Sequence, residues 1–446
     1  MLILEDCTWL SEIGPLISQL KKLRSLNLRK CSLVKKLPLQ PCWMQSLREL
    51  LIDETGIKEI IIDSDSLKEL QKLSACGCTE LGYISPIGHL TKLESLALDG
   101  TKINLDPETF EFPRNLWRLS LRNCSMVLEL PPSVRELRNL KTLKMGGTPL
   151  REFPEDIVNL KKLEEIDFSG CTNLEAQDSC DISGLSSLRI LRLSSSIVAG
   201  LPQNICGLSR LQTLDILECD QLRVLPELPS SLQSLRWGSR KTTVPDLSHL
   251  TDLKELLLKD VQHPVGGLLN LKTPRNFSTL TLLQELTLSY MELDLTQLPL
   301  TPSLSTVSLE HCKIPEPKFS ILKYLSELKL GNCNLAEIDG LEDLERLEVL
   351  EIIDCRSITD LNGLKDLPRL RKVGGVFSAQ PSLPEFTRHV DKDICGRKKP
   401  EANSSGPAIG RGITNLASKQ LLKDASSKST AAQLFNKDEK EKKKQK

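Results

Sequence analysis

The sequence predicts an α/β solenoid: a horseshoe of about sixteen repeats, with a parallel sheet on the concave side and short helical or 3-10 segments on the convex side. Three observations predict it. The phrase L-x-x-L-x-L-x-x-C/T recurs along most of the 446 residues, its anchor residue falls at a nearly constant spacing, and aromatic residues make up only 4% of the chain, which suits a core of leucine and isoleucine.

The anchors are Cys7, Cys31, Thr55, Cys78, Thr101, Cys124, Thr148, Cys171, Ser196 and Cys219, continuing less regularly through Arg240, Val261, Met291, Cys312, Cys333 and Cys355. All but one of the fifteen gaps lie between 21 and 25 residues, and the exception is 30. That period and phrase are those of a leucine-rich repeat, in which no turn buries its apolar face alone and stacking builds a continuous core. Within each phrase the leucines face inward and the residues between them face outward, as alternation on a strand requires. Pieces such as LPPSVREL and FPEDIVNL then return on the convex side as proline-started helical or 3-10 turns.

The first block of repeats spans residues 1–221. Residues 222–241 hold LPELPSSLQSLRWGSR, whose two prolines at spacing three demand extended backbone and leave no room for a helix. A second block covers 242–374, with its long gap near HPVGGLLNLKTPRNF, read as a protruding loop. Residues 375–446 carry 15 Lys and Arg against 8 Asp and Glu and few large apolar side chains, and are read as a disordered, lysine-rich, solvated tail. Because the whole chain has 59 charges of each sign, the body before the tail is acidic by seven. The chain opens with Leu2-Ile3-Leu4 already on a repeat strand, which reads as a piece of a longer chain.

Nine of the fourteen cysteines are anchors, each expected as a small buried thiol with a weak donor, in a slot that threonine and serine also fill. Thiols on separate turns need no pairing, and MLILEDCTWL carries no secretory pattern, so a reducing compartment is expected, cytoplasmic or nuclear. No apolar run approaches a membrane span, and no basic stripe marks a nucleic-acid face.

Phosphate-loop, nucleophile-elbow and zinc-helix motifs are absent, so no catalytic, cofactor-binding or metal-ligating residue is assigned and an enzyme is not expected. Cys76 and Cys78 lack a second pair at metal spacing, and His311 and Cys312, adjacent on a strand, point to opposite faces. What remains is the concave surface as a protein-binding face. Trp117, Arg118 and Arg122 form an aromatic–guanidinium group of the kind enriched at interface hot spots. Glu164, Glu165 and Asp167 are read as an acidic patch, followed by Arg189 and Arg192, and Tyr290 as a further exposed aromatic; Trp237 fills a leucine slot and belongs to the core.

Two features carry a family resemblance. LRVLPELPSSLQSL, from Leu222 to Leu235, and the alternation of cysteine with G-T at the anchor (SGCTNL, MGGTPL, LDGTKI) resemble the repeat half of plant Toll/interleukin-receptor nucleotide-binding disease-resistance proteins, particularly the flax rust-resistance type, from Met1 to about Gly374. The resemblance implies an intracellular sensor whose repeats recognise a pathogen effector or a guarded host protein and restrain the receptor's own nucleotide-binding domain. No residues here match that domain's motifs, so neither nucleotide binding nor NAD cleavage carries over. The other readings are a substrate adaptor of a ubiquitin ligase, for which EIIDCRSITDLNGL is similar to the cysteine-type repeat of F-box proteins, and a standalone scaffold.

Overall fold

The computed structural model describes residues 1–14, 17, 20–37, 44–174, 181–198, 200–222, 225–238, 246–259, 277–335, 338–355, 358, 361–365, 367–377 and 391–396. The predicted loop at 263–276 and the anchors Arg240 and Val261 lie outside them.

Among the described residues, eighteen strands form one sheet, each pairing in parallel with the next in chain order, from Leu2–Ile3 to Asp391–Gly396. The register matches repeat to repeat. Leu26 stands against Leu50, Leu50 against Leu73, and the column continues through Ile166 to Val373. Every side chain in that column is buried, because the phrase repeats without slipping and one slip would turn the whole set outward. A single apolar cluster runs from Ile17 to Val373 through the proline-containing segment, so both blocks share one core. Trp237 is fully buried in its leucine slot, as expected. The main-sheet strands of the first block are two to four residues long, mostly three, and lengthen to five or six from Glu255–Lys259 onward, where the repeats are mostly shorter.

The return segments are 3-10 turns. Pro132–Glu136, Glu155–Ile157 and Gln203–Gly207 follow Pro131, Pro154 and Pro202 and bury Val134, Ile157 and Ile205. Proline costs nothing at these starts, where an N–H would have no partner within the turn. One further pair of short strands, Glu59–Ile60 and Tyr83–Ile84, runs beside the main sheet.

A regular device turns the chain after each strand. The residue before every one of the fourteen described anchors has positive φ: four are glycines, Gly77, Gly100, Gly147 and Gly170, and ten are not, among them Lys30, Asn123, Tyr290 and His311.

Two expectations need correction. The sheet does not stop at Gly374: Lys372–Phe377 straddles that boundary and Asp391–Gly396 adds another strand. A parallel edge offers only backbone groups, so the sheet can continue without the leucine phrase. Cys7, expected to be buried like the other anchors, is exposed, because in this chain its turn has a neighbour on one side only.

Candidate protein-binding face

The outward residue between the two strand leucines builds a charged column across the middle of the sheet. Lys144, Asp167, Arg192, Asp215 and Arg236 occupy this position on five successive strands in direct register, and their signs alternate. Opposite charges facing each other across a strand pair stabilise the pairing and fix its register.

The column is cross-linked to its neighbours. Glu165 accepts from Lys144 Nζ at 3.0 Å and from Arg192 Nη1 at 2.6 Å. Asp167 accepts from Arg122 two strands away and from the Ser169 N–H at 3.1 Å. Asp215 accepts from Arg236 Nη1 at 3.0 Å and from the Leu217 N–H at 3.2 Å. Asp167 and Asp215 expose only 6% of their side chains, whereas Arg122 and Arg236 expose 40% and 48%. The carboxylates are therefore struts, and the guanidinium groups are the surface.

The pKa directions follow. Burial pushes Asp167 and Glu165 up, but the hydrogen bonds from Arg122 and Ser169 to the first, and from Lys144 and Arg192 to the second, more than reverse it and hold both below the usual range. Asp215 goes the other way: burial dominates, and Arg236 offsets it only in part.

The site residues read from sequence thus divide. Arg122, Glu165, Asp167 and Arg192 belong to one network. Glu164 lies at its margin, paired with Lys141 at 3.0 Å. The expected acidic patch is not an open one, because each of its three carboxylates is engaged by a cation from another turn, one turn away for Glu164 and Glu165 and two for Asp167. Trp117 and Arg118 are exposed at the start of their strand, and Arg189 is exposed beside the network. Tyr290 stands apart, half-buried, its ring stacked on His311 at 4.4 Å between centroids. Burial pulls the His311 imidazole below its ordinary pKa, and Lys259 adds to this.

Sequence reasoning missed Lys144, Asp215 and Arg236, although their signal was present as alternating charge at one repeat position. It also missed the carboxylates that lock adjacent turns: Asp53 accepts from Arg29 Nε at 2.7 Å and from the Cys76 N–H at 2.8 Å, and Asp99 from Ser120 Oγ at 2.6 Å and the Arg122 N–H at 2.9 Å. Among the described residues no three His, Cys, Asp or Glu side chains gather as a metal ion requires, and no helix is long and apolar enough to cross a membrane. His311 and Cys312 point apart, the thiol donating to the Leu288 carbonyl at 3.3 Å.

No family model matches the chain. It is similar to the Arabidopsis thaliana protein SUPPRESSOR OF npr1-1, CONSTITUTIVE 1, with 29% identity over 204 residues, covering 43% of this chain and 14% of that one. It is similar also to the TMV resistance protein N of Nicotiana glutinosa, with 31% identity over 240 residues, covering 52% and 21%. The chain thus spans about a fifth or less of the length of these two relatives. Among solved structures, a Leptospira interrogans leucine-rich-repeat protein superimposes with a TM-score of 0.62 and 25% identity, over 80% of this chain and 90% of that one.

Proposed function

Taking this chain as a leucine-rich-repeat solenoid similar to the repeat regions of plant disease-resistance proteins, we propose that its concave sheet is the recognition surface of an intracellular immune receptor. The partners in this reading are a pathogen effector or a guarded host protein, and the receptor's own nucleotide-binding domain, which the repeats restrain until the first partner arrives. Two partners competing for one face shift a receptor between closed and open states only by their differential affinity. The observation that carries the reading is the row of partly exposed guanidinium groups at Arg122, Arg192 and Arg236, held in the middle of the sheet by buried Asp167 and Asp215 and half-buried Glu165. Pre-positioned arginine loses little side-chain entropy on binding, which makes it an effective anchor.

The test is cross-linking in leaf tissue that expresses the wild-type chain, a variant with Arg122, Arg192 and Arg236 all changed to Glu, or a control with a lysine reversed on the return side, Lys323→Glu. Partners that appear on pathogen challenge and are lost only with the triple variant support the reading. Recovery of the same partners by all three proteins overturns it, and capture of ubiquitin-ligase subunits by the concave face instead would favour a substrate adaptor.

A further inference from the structure

Trp117, 41% exposed, lies in a groove of about 670 Å³ along the entrances of successive strands. Its lining repeats with the solenoid. Lys92, Asn115, Asn139 and Lys162 sit at the equivalent position of four successive turns, 23, 24 and 23 residues apart, and Glu94, Trp117 and Lys141 form a second row beside them. The first row is tied from turn to turn: Asn115 Nδ2 donates to the Thr91 carbonyl at 2.6 Å, and Lys162 Nζ donates to Asn139 Oδ1 at 2.7 Å.

We propose that this groove binds an extended, acidic peptide segment of a partner protein, laid across the turns with one apolar side chain on the Trp117 ring. The proposal rests on reading the sheet as a protein-recognition surface and names the chemistry of one part of it. Side-chain amides both donate and accept, so Asn115 and Asn139, one per turn, can pair with peptide backbone. Lys92, Lys141 and Lys162 line the groove with one carboxylate, Glu94. Lys92 and Lys141 are paired with Glu69 and Glu164, but Lys162 is held by an amide oxygen, and Arg118, next to Trp117, makes no ion pair among the described residues. These positive charges stand on a body that is acidic by seven, so an acidic segment is steered here and repelled elsewhere.

The probe is a dye-labelled decapeptide of Asp and Glu with one central Phe, titrated by fluorescence anisotropy into the full chain, against the same peptide with Lys in place of Asp and Glu. The acidic peptide should bind at least about tenfold more tightly than the lysine peptide. Trp117→Ala, and Lys141→Glu with Lys162→Glu, should each weaken it about tenfold or more without moving the thermal midpoint. Lys323→Glu, on the return side, should leave it unchanged, and Arg192→Glu with Arg236→Glu reports whether the peptide sits on the arginine row instead. Absence of binding, equal binding of both peptides, or indifference to the groove substitutions would overturn the proposal. Loss of binding only in the Arg192 and Arg236 variant would also overturn it, while leaving the sheet's protein-recognition role intact.

Discussion

Thr55 Oγ1 and Cys78 Sγ, one repeat apart, converge on a single acceptor, the Ile52 carbonyl, at 2.8 and 2.9 Å. The arrangement recurs with Thr101 and Cys124 on Leu98, Thr148 and Cys171 on Met145, and Ser196 and Cys219 on Leu193. The hydroxyl closes its own turn, and the thiol reaches back one turn. Alternation of threonine with cysteine therefore makes a two-repeat unit in the first block. In the second, Cys312, Cys333 and Cys355 each reach back singly, to Leu288, Leu309 and Leu330.

A shared acceptor should show as coupling. Thr101→Val and Cys124→Ala should each cost about 1 kcal/mol, since the Leu98 carbonyl keeps one side-chain donor in either variant. The double variant removes both and should cost more than the sum, by about 0.5 kcal/mol or more. Urea unfolding of the four proteins measures this, and strict additivity would show that the two donors act independently.

The thiols should react in an order set by burial. Cys7 and Cys206 are exposed, whereas Cys31, Cys78, Cys124 and Cys171 are buried with pKa values raised mainly by burial, and Cys219 is pushed up to about 11. Since the thiolate is the reactive form, titration of the native protein with a disulfide reagent at about pH 8 should modify Cys7 and Cys206 before these buried thiols. Peptide mapping of the modified protein reads the order, and early labelling of Cys124 or Cys219 would contradict it.

The two buried aspartates should respond oppositely to acid. Asp167 has a folded pKa below its unfolded value, so it contributes stability above that unfolded value and loses the contribution as pH falls through the folded one. Asp215 has a raised folded pKa, so its contribution is present at low pH and lost as pH rises. Asp167→Asn should therefore cost about 1.5–3 kcal/mol near neutral pH, the range for a hydrogen bond to a charged group, and the deficit should close as pH falls below about 4. Asp215→Asn should cost less at neutral pH and keep its bond from the Leu217 N–H. Urea midpoints from about pH 3 to 7 test both slopes.

The charge column illustrates what the sequence made legible. Aligned on their anchors, KTLKM, EEIDF, RILRL, QTLDI and QSLRW carry Lys144, Asp167, Arg192, Asp215 and Arg236 at one position, and strand alternation puts that position outward. Identity and facing were readable there because the repeat fixes the register. Pairing was not: the Arg122 contact to Asp167 skips a turn, and Lys259 reaches Glu218 at 2.8 Å across 41 residues, so each depends on how long side chains lean. The groove was hidden for a different reason. Its amides and lysines precede the strands, in a stretch where the leucine phrase imposes no alternation. The continuation of the sheet through KVGGVF was hidden because a strand added to a parallel edge needs no leucines to pair.

The backbone before each anchor gives the sharpest stability test. Lys30 holds φ at 62° with an exposed side chain, a conformation that costs an L-residue roughly 1–2 kcal/mol and glycine almost nothing. Part of that gain is offset by the greater freedom of an unfolded glycine, so Lys30→Gly should stabilise the chain by about 0.5–1 kcal/mol. Gly147 is the converse, with φ at 74° and a position where a Cβ would stand 2.1 Å from Oδ1 of Asn123. Gly147→Ala adds that collision to the same backbone strain and should destabilise by more than Lys30→Gly gains. Asn123→Ala in the Gly147→Ala background separates the two terms: it relieves the collision and leaves the strain. Urea midpoints of these variants decide the matter. A Lys30→Gly midpoint at or below wild type would mean that the ten non-glycine turns carry compensation that the four glycine turns lack.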